Sequence, residues 1–581
     1  MLLAIPSYFV PIFLRPEYKY SWNDFRADLS AGITVAVIQI PQTMAFALIA
    51  GLPAVYGLYA SLPGFIASLW GSSKQLSTGP VAIVSLLTLT SLVPFAEPRT
   101  PEYIGLAALL ALLVGVVYLL MGIFRLGMIV DLVPQSVIVG FSSAAAFIII
   151  ITQVPTLLGI SIERHDLLLQ DIFGVLLGLP HLVLLTSLLG IISLILLFFF
   201  KRLPNTFPAA LAVLLFGVAI DYFFPLEAHG VALVASIPST LPSFSFPSLA
   251  AVPFLSLLPK AIVIALVGFI SAHATSKMYA KRTRESLDTN QELVGQGLAN
   301  IVAGFFRGYP ISGSFTRTAV NVDSGAHSGM SSVVTLVITV LALLFFAPFF
   351  SHLPQTVLSA IVIMSALPLL NIEGLKNMFL ISPTDAYIAY LTFAMAFILK
   401  PDDAIFIGIV VALLFLIHQT TWGSRAFEMG VDKEWHVLRG AVEEDRVETF
   451  PGVCIAHIGV SFYYANVAHL LQEVNNIISR KENRENVTIR ILVLDVSAVH
   501  SIDITALETL SEHIEKLKKR GIHVCFMYLR RVLREALKRL PSLPEVTVIH
   551  NISELRQLSV SEKEHMLALS GSHPEKLGGN K

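Results

Sequence analysis

The chain has 581 residues, 55% of them hydrophobic and only 14% charged, with a mean hydropathy of +0.74 and a formal net charge of −1. Charge at about half the roughly 25% usual for globular domains excludes an ordinary soluble protein and points to an integral membrane one. Of 39 Lys and Arg, 18 precede residue 423 and 21 follow it, which places a membrane domain first and a soluble domain second.

Residues 1–26 read as a cytoplasmic lead-in with Arg15, Lys19 and Arg26. No basic n-region marks a signal peptide, and Pro6, Pro11 and Pro16 argue against a span there. Apolar segments are predicted at about 27–47, 54–70, 79–93, 103–122, 131–153, 181–200 and 206–224. After a Pro- and Ser-rich loop they resume at about 255–277, 288–306, 314–326, 329–350, 354–370, 384–399 and 403–422. Two of these fourteen are short: the one beginning Ser77-Thr78-Gly79-Pro80 and the one beginning at Ser314. Each is third in its set of seven, and short segments at matching places in two halves point to a transporter binding site. The other reading, two ordinary helices with Gly- and Pro-softened ends, stays open.

With a cytoplasmic N-terminus, the inside loops hold Lys74, Arg125, Lys201, Arg202, Lys277, Lys281, Arg282, Arg284 and Lys376. The outside loops hold Arg99, Arg164, Lys260 and Lys400. Nine against four follows the positive-inside rule and puts both termini in the cytoplasm of a multi-pass cell-membrane protein. Residues 423–450 read as a linker. From 451 to 570, strands at Val453–Ser461, Ile489–Asp495, Gly521–Tyr528 and Glu545–Ile549 alternate with helices at Ala465–Arg480, Ile504–Lys519, Val532–Leu540 and Ser553–Leu567, which argues a small α/β domain. The tail 571–581 reads as disordered. Cys454 and Cys525 both fall in the soluble part; they form no disulfide framework and have no metal-ligand spacing, so neither a metal nor another cofactor is expected.

Within the membrane text, Pro310–Asn321 stands out. It is small and hydroxylated, and it carries Arg317. A charge at the bilayer centre costs roughly 2.5–3.5 kcal/mol even on the mildest scale, and a helix start there leaves N–H groups without acceptors. A bound anion answers both. Two half-helix N-termini meeting at the midplane would each offer about half a positive charge and free N–H groups. Gly79 and Gly313 would let backbone approach the ligand, and Pro80 would open a first helical turn. Ser314 and Thr316 can donate hydroxyls or simply cap the helix. Arg317 can fork onto an oxyanion or pair with a membrane carboxylate, Asp323 being nearest in sequence. Gln42 offers an amide without fixed charge, and Phe46, one turn on, faces the same way.

The motifs in this order resemble the SulP anion transporter family. They are Pro41-Gln42-Thr43-Met44-Ala45-Phe46-Ala47, Gly51-Leu52-Pro53, Tyr56-Gly57-Leu58-Tyr59, Ser77-Thr78-Gly79-Pro80, Thr289-Asn290-Gln291-Glu292-Leu293 and Ser312–Asn321. The soluble part is similar to a STAS domain at Phe462–Asn466, Leu492–Asp495 and Ile502–Leu507. The resemblance implies an α-helical membrane protein with a seven-plus-seven inverted repeat split into core and gate over 27–422, a cytoplasmic α/β STAS domain, and a homodimer in the lipid bilayer. It implies that Gln42, Phe46, Gly79, Val81, Ser314, Phe315, Thr316 and Arg317 surround an inorganic anion. For Phe46 and Val81, plain packing is the competing reading.

Two departures matter. Where relatives carry a proton-coupling glutamate after Val267-Gly268-Phe269-Ile270, this chain has Ser271, and His273 is the nearest titratable side chain. Glutamate-based proton symport is therefore not expected, and exchange and uncoupled transport both stay open. In the soluble domain Ile504 follows Asp503 where anti-sigma-factor antagonists have a phosphorylated serine, so no phosphoswitch is expected there. The expected function is secondary active transport of an inorganic anion, sulfate first, by an elevator-type motion. Bicarbonate or chloride exchange and an anion channel on the same scaffold are the alternatives. No P-loop and no HExxH occurs, so an enzyme is not expected, and basic runs such as Lys516–Arg520 read as solvated helix faces rather than nucleic-acid contacts.

Overall fold

The computed structural model describes residues 20–557 apart from 129–132, 162–167, 205–206, 235–237, 248–253, 284–285, 424–425, 433–437, 441–446, 539–546, 552–553 and 555–556. The start of the lead-in, most of the helix expected at Ser553–Leu567 and the tail lie outside the described residues. The chain divides into two compact units, Met1–Ala412 and Leu413–Lys581.

The first unit is helical. Helix α1 (Trp22–Ile49) opens on a capping box between Ser21 and Asp24. The second expected segment is split at Leu62-Pro63 into α2 (Val55–Ser61) and α3 (Gly64–Trp70). A two-residue strand β1 (Thr78–Gly79) leads into α4 (Ala82–Leu92). There follow α5 (Pro101–Ile123), α6 (Gln135–Leu158), α7 (Leu168–Gly178), α8 (Leu184–Phe200) and α9 (Ala209–Phe223). The second half runs α10 (Phe254–Thr283), α11 (Thr289–Phe305), β2 (Ser312–Gly313), α12 (Phe315–Asp323), α13 (Met330–Phe350), α14 (Gln355–Ala366), α15 (Ile372–Ile381), α16 (Pro383–Ile398) and α17 (Pro401–Trp422). Each of the fourteen expected segments contains a helix, while α7 and α15 occupy stretches expected to be connections.

Seven helices among the described residues are long and apolar enough to cross a membrane alone. α4 and α12 are not. At about 1.5 Å per residue they reach roughly half of the ~30 Å hydrocarbon core. Both start in mid-bundle because β1 and β2 pair antiparallel there, Thr78 opposite Gly313 and Gly79 opposite Ser312. That pairing corrects one expectation. Pro80 does not open a helical turn: the backbone stays extended through Val81 (φ −136°, ψ 148°), and α4 begins only at Ala82. The helices pack in two groups. In one, the core, α5 packs on α10 and α11, α3 on α11 and α13, and α1 on α13. In the other, the gate, α6 packs on α14 and α16, and α8 on α14. The groups meet where α1 touches α9 and α14.

The second unit is a seven-stranded sheet with helices. Strands β3 (Ala426–Asp432), β4 (Leu438–Gly440), β5 (Val447–Glu448), β6 (Val453–Ile458), β7 (Ile491–Asp495), β8 (His523–Met527) and β9 (Thr547–Ile549) take the order β4-β3-β6-β7-β8-β9, with β5 also on β3. Helices α18 (Val467–Glu485), α19 (Ile504–Lys519) and α20 (Arg531–Lys538) alternate with the parallel strands β6 to β9. The stretch expected as a linker thus supplies three strands. β3 pairs with β6 over Ala426–Met429, and its Ala426 and Val431, on opposite faces of the strand, bury in the two cores on either side of the sheet. Burial pushes the Cys454 thiol up to about 12 and the Cys525 thiol up to about 11, so both are inert structural cysteines.

At the carboxyl end of β6, His457 Nδ1 lies 2.7 Å from Asp495 Oδ2, with Asp495 buried. That hydrogen bond raises the His457 pKa. A raised histidine stabilises the fold fully below its unfolded value of about 6.5 and loses that contribution as pH rises through the folded value. His457→Gln should therefore unfold more easily than the wild type near pH 6 and match it near pH 9, by roughly the loss of one charge-assisted hydrogen bond. Thermal unfolding of the two proteins at both pH values checks this.

Candidate functional site

The site is the place where the two halves cross. Besides the β1–β2 ladder, Ser314 N donates to Ser77 O at 2.9 Å and Ser77 N donates to Thr318 Oγ1 at 3.0 Å. Ser312 Oγ donates to Gly268 O on α10 at 2.6 Å. Two buried amides of α11 hold the strands from behind. Gln296 Nε2 donates to Thr78 Oγ1 at 2.8 Å, and Asn300 accepts from Ile311 N at 2.9 Å and donates to Ile311 O at 3.0 Å. Sequence reasoning missed both amides. The signal was present, since Gln296 and Asn300 are the only polar side chains from Leu293 to Phe305 and follow Glu292 at four-residue spacing.

The crossing aims two helix starts into one space. A cavity of about 160 Å³ is lined by Val81, Ala82, Ile83 and Val84 of the α4 start and by Gly313, Ser314, Phe315 and Thr316 of the α12 start. First-turn N–H groups have no acceptor within their own helix, so both positive dipole ends face this cavity. Ser314 is the N-cap of α12, its hydroxyl accepting from Arg317 N at 3.5 Å, and it lines the cavity as well; capping and lining coexist. Phe46 lines this cavity and a second of about 330 Å³, which Gln42, Phe315 and Thr316 also line. Gln42 Oε1 is buried without a protein partner. The structure thus brings Gln42, Phe46, Val81, Ser314, Phe315 and Thr316 together around two neighbouring cavities that share Phe46, Phe315 and Thr316.

Arg317 and Gly79 sit behind that wall. Arg317 is fully buried and lines neither cavity. Its Nη1 donates to Pro80 O at 2.9 Å, while Nε and Nη2 have no acceptor among the described residues. The pairing with Asp323 does not occur. Arg317 is instead a buried positive charge that ties α12 to the chain entering α4. Both glycines serve close packing at the crossing, and Gly313 also lines the smaller cavity. A Cβ on Gly79 would stand 3.2 Å from Arg317 Nη2, and one on Gly313 would stand 2.9 Å from Ala272 Cβ.

Ser271 lines the smaller cavity. His273 lines neither; its ring stacks on Phe269 at 5.7 Å. The facing wall comes from the gate: Ser365 and Pro368 near the end of α14 border both cavities. The larger cavity runs on to Lys201, Phe207, Ala209 and Ala210 at adjoining ends of α8 and α9. Lys201 is an exposed cation at this mouth that sequence reasoning had counted only as a loop charge. Arg307 lies away from both cavities, with φ +57° and its Nε donating to Ser245 Oγ at 3.4 Å.

The Sulfate permease family profile matches residues 25–392, and a STAS domain profile matches 446–555. This chain belongs to the sulfate permease family. Membership makes it a multi-pass membrane transporter of anions, not an enzyme. It is 33% identical over 520 residues to Sulfate transporter 4.1, chloroplastic, of Arabidopsis thaliana, covering 87% of this chain and 75% of that protein. It is 30% identical over 528 residues to the Putative sulfate transporter YvdB of Bacillus subtilis, covering 90% and 94%. The solved structure of the murine anion transporter Slc26a9 in the inward-facing state shares the fold, with TM-score 0.84 at 22% identity over 94% of this transporter and 93% of that chain. The transmembrane domain of the cyanobacterial bicarbonate transporter BicA matches with TM-score 0.57 at 26% identity, over 68% and 99%.

Proposed function

We propose that this transporter carries inorganic oxyanions, sulfate first, across the cell membrane by alternating access, as a homodimer with both termini in the cytoplasm. The observation that carries the reading is the pair of helix starts aimed into one cavity with the Arg317 charge buried behind them. Peptide dipoles and a guanidinium attract an anion without supplying any group for covalent chemistry. The anion rests among Val81, Ser314, Phe315 and Thr316, with Gln42 and Phe46 closing the side. The core group carries it past the gate wall in an elevator-type motion. The larger cavity's continuation to Lys201, on the side bearing the basic loops, supports a conformation open to the cytoplasm. The names of the Arabidopsis and Bacillus relatives support sulfate. BicA's name supports bicarbonate as the second reading.

Neither Ser271 nor His273 supplies an acid in the cavities, which favours exchange over glutamate-coupled proton symport. The test is counterflow in liposomes, with labelled sulfate against unlabelled sulfate, bicarbonate, chloride, nitrate and dicarboxylates. Sulfate is expected to exchange fastest. A Ser314→Glu variant, which puts a carboxylate in the cavity, is expected to lose transport at least about a hundredfold, the effect of a like charge at short range in low dielectric. Wild-type flux in that variant would remove the anion from this site, and competition by bicarbonate alone would transfer the assignment to the second reading.

A further inference from the structure

We propose that α11 is the positioning element of the anion site, through a polar ladder formed by Glu292, Gln296 and Asn300. The proposal rests on the reading that the anion binds between the α4 and α12 starts. The three side chains lie one turn apart on one face of α11, and each is 1% exposed or less. Each rung grips a different part of the crossing. Glu292 Oε2 accepts from Ser72 N at 3.0 Å, Ser73 N at 2.9 Å and Ser72 Oγ at 3.3 Å, fixing the loop before β1. Gln296 Nε2 holds Thr78 Oγ1 in β1 itself and reaches Glu292 Oε1 at 3.5 Å. Asn300 binds both backbone groups of Ile311, the residue before β2, and its Nδ2 also donates to Gln296 O at 2.9 Å.

The ladder matters because the crossing is small. A pair of two-residue strands is far below what holds together unaided. The donors offered to the anion are backbone N–H groups, whose positions are fixed by where the strands lie. Donors bind well only when held in place before the ligand arrives. Asn300 acts on Ile311 as a third strand would, taking its N–H and its C=O together. Gln296 does the same work on β1 through a side chain. None of the three lines either cavity, so they act on the anion only through the strands.

The test is labelled sulfate uptake by the full-length protein in proteoliposomes, with KM and Vmax read separately and thermal unfolding followed alongside. Asn300→Leu removes the rung while keeping the same branched side-chain skeleton. It is expected to raise KM about tenfold, the equivalent of one net hydrogen bond, with Vmax per folded protein within about twofold of wild type. Gln296→Met is expected to raise KM about threefold. Asn300→Asp keeps the acceptor for Ile311 N and should fall between wild type and Asn300→Leu. If Asn300→Leu does not fold, Gln296→Met and Asn300→Asp carry the same test. A purely structural ladder would lower the amount of folded protein and leave KM unchanged, and that result overturns the proposal. Ser314→Glu separates the two failures. If it blocks transport while the ladder variants keep the wild-type KM, only the ladder is wrong. If it transports normally, the site itself is misplaced and the ladder's role falls with it.

Discussion

Arg317→Ala is expected to raise the KM for sulfate at least about tenfold, the scale of one charge-assisted interaction lost across a low-dielectric gap. Its effect on stability should run the other way from that of a broken salt bridge. Arg317 forms no ion pair among the described residues, and its one hydrogen bond goes to Pro80 O. A buried charge without a counter-charge destabilises the protein that holds it. The variant should therefore unfold no more easily than the wild type in sulfate-free buffer. What it should lose is the rise in Tm that sulfate confers on the wild type, since a ligand stabilises only the state it binds. Arg317→Lys keeps the charge but loses the planar fork, and should recover part of the affinity. Uptake kinetics and sulfate-dependent unfolding measure both halves. A wild-type KM in Arg317→Ala would mean the guanidinium is a packing residue only.

Gly64→Ala is the second large effect, and it comes from a methyl group distant in sequence from the site. Gly64 is the first residue of α3, and a Cβ there would stand 2.1 Å from Thr78 O, a backbone atom of β1. A side chain could rotate away; a carbonyl in a strand cannot. Either α3 or β1 must move, at a cost of about 3 kcal/mol, the upper range for overpacking. The variant should unfold more readily and should lose sulfate binding in whatever fraction remains folded. Gly105→Ala on α5 is the control, because nothing lies within 4 Å of the added Cβ. It should be stabilised by roughly 0.5–1 kcal/mol through helix propensity alone. Unfolding of the two variants side by side decides whether position or glycine loss is responsible.

Much of this was legible from residues. Ser77–Pro80 and Ser312–Arg317 interrupt apolar text with small polar residues, and that interruption is what a half-helix looks like in sequence. The partners of those residues were not legible. Ser77 and Thr318 are 241 positions apart, and no local pattern ties them. Gly79 and Gly313 were read as letting backbone approach the ligand; Gly79 packs on Arg317, while Gly313 packs on Leu76 and Ala272 and also lines the smaller cavity. Arg317 was read as an electrostatic partner near the anion; it is fully buried and lines neither cavity, which no local pattern announces. In the soluble unit, Ile504–Lys519 was legible to the residue because its Asp503 cap and apolar face are local signals. Strands β4 and β5 were missed because they are only three and two residues long; β3, with seven, carries Glu428 and Gly430 within its apolar run, and its pairing with β6 is not a local signal.

The clasp between β1 and β2 has a thermodynamic consequence. Because the two helix starts are fastened to each other, an ion cannot leave by their drawing apart; it can leave only when the opposite wall withdraws. The donors it meets are then the same whichever face of the membrane is open. On the proposed elevator motion, its dissociation constants on the two sides would differ mainly through the gate wall, where Ser365 and Pro368 line both cavities. On that reading the affinities inside and out would be close, and the electrochemical gradients of the exchanged anions would set the direction of net flow.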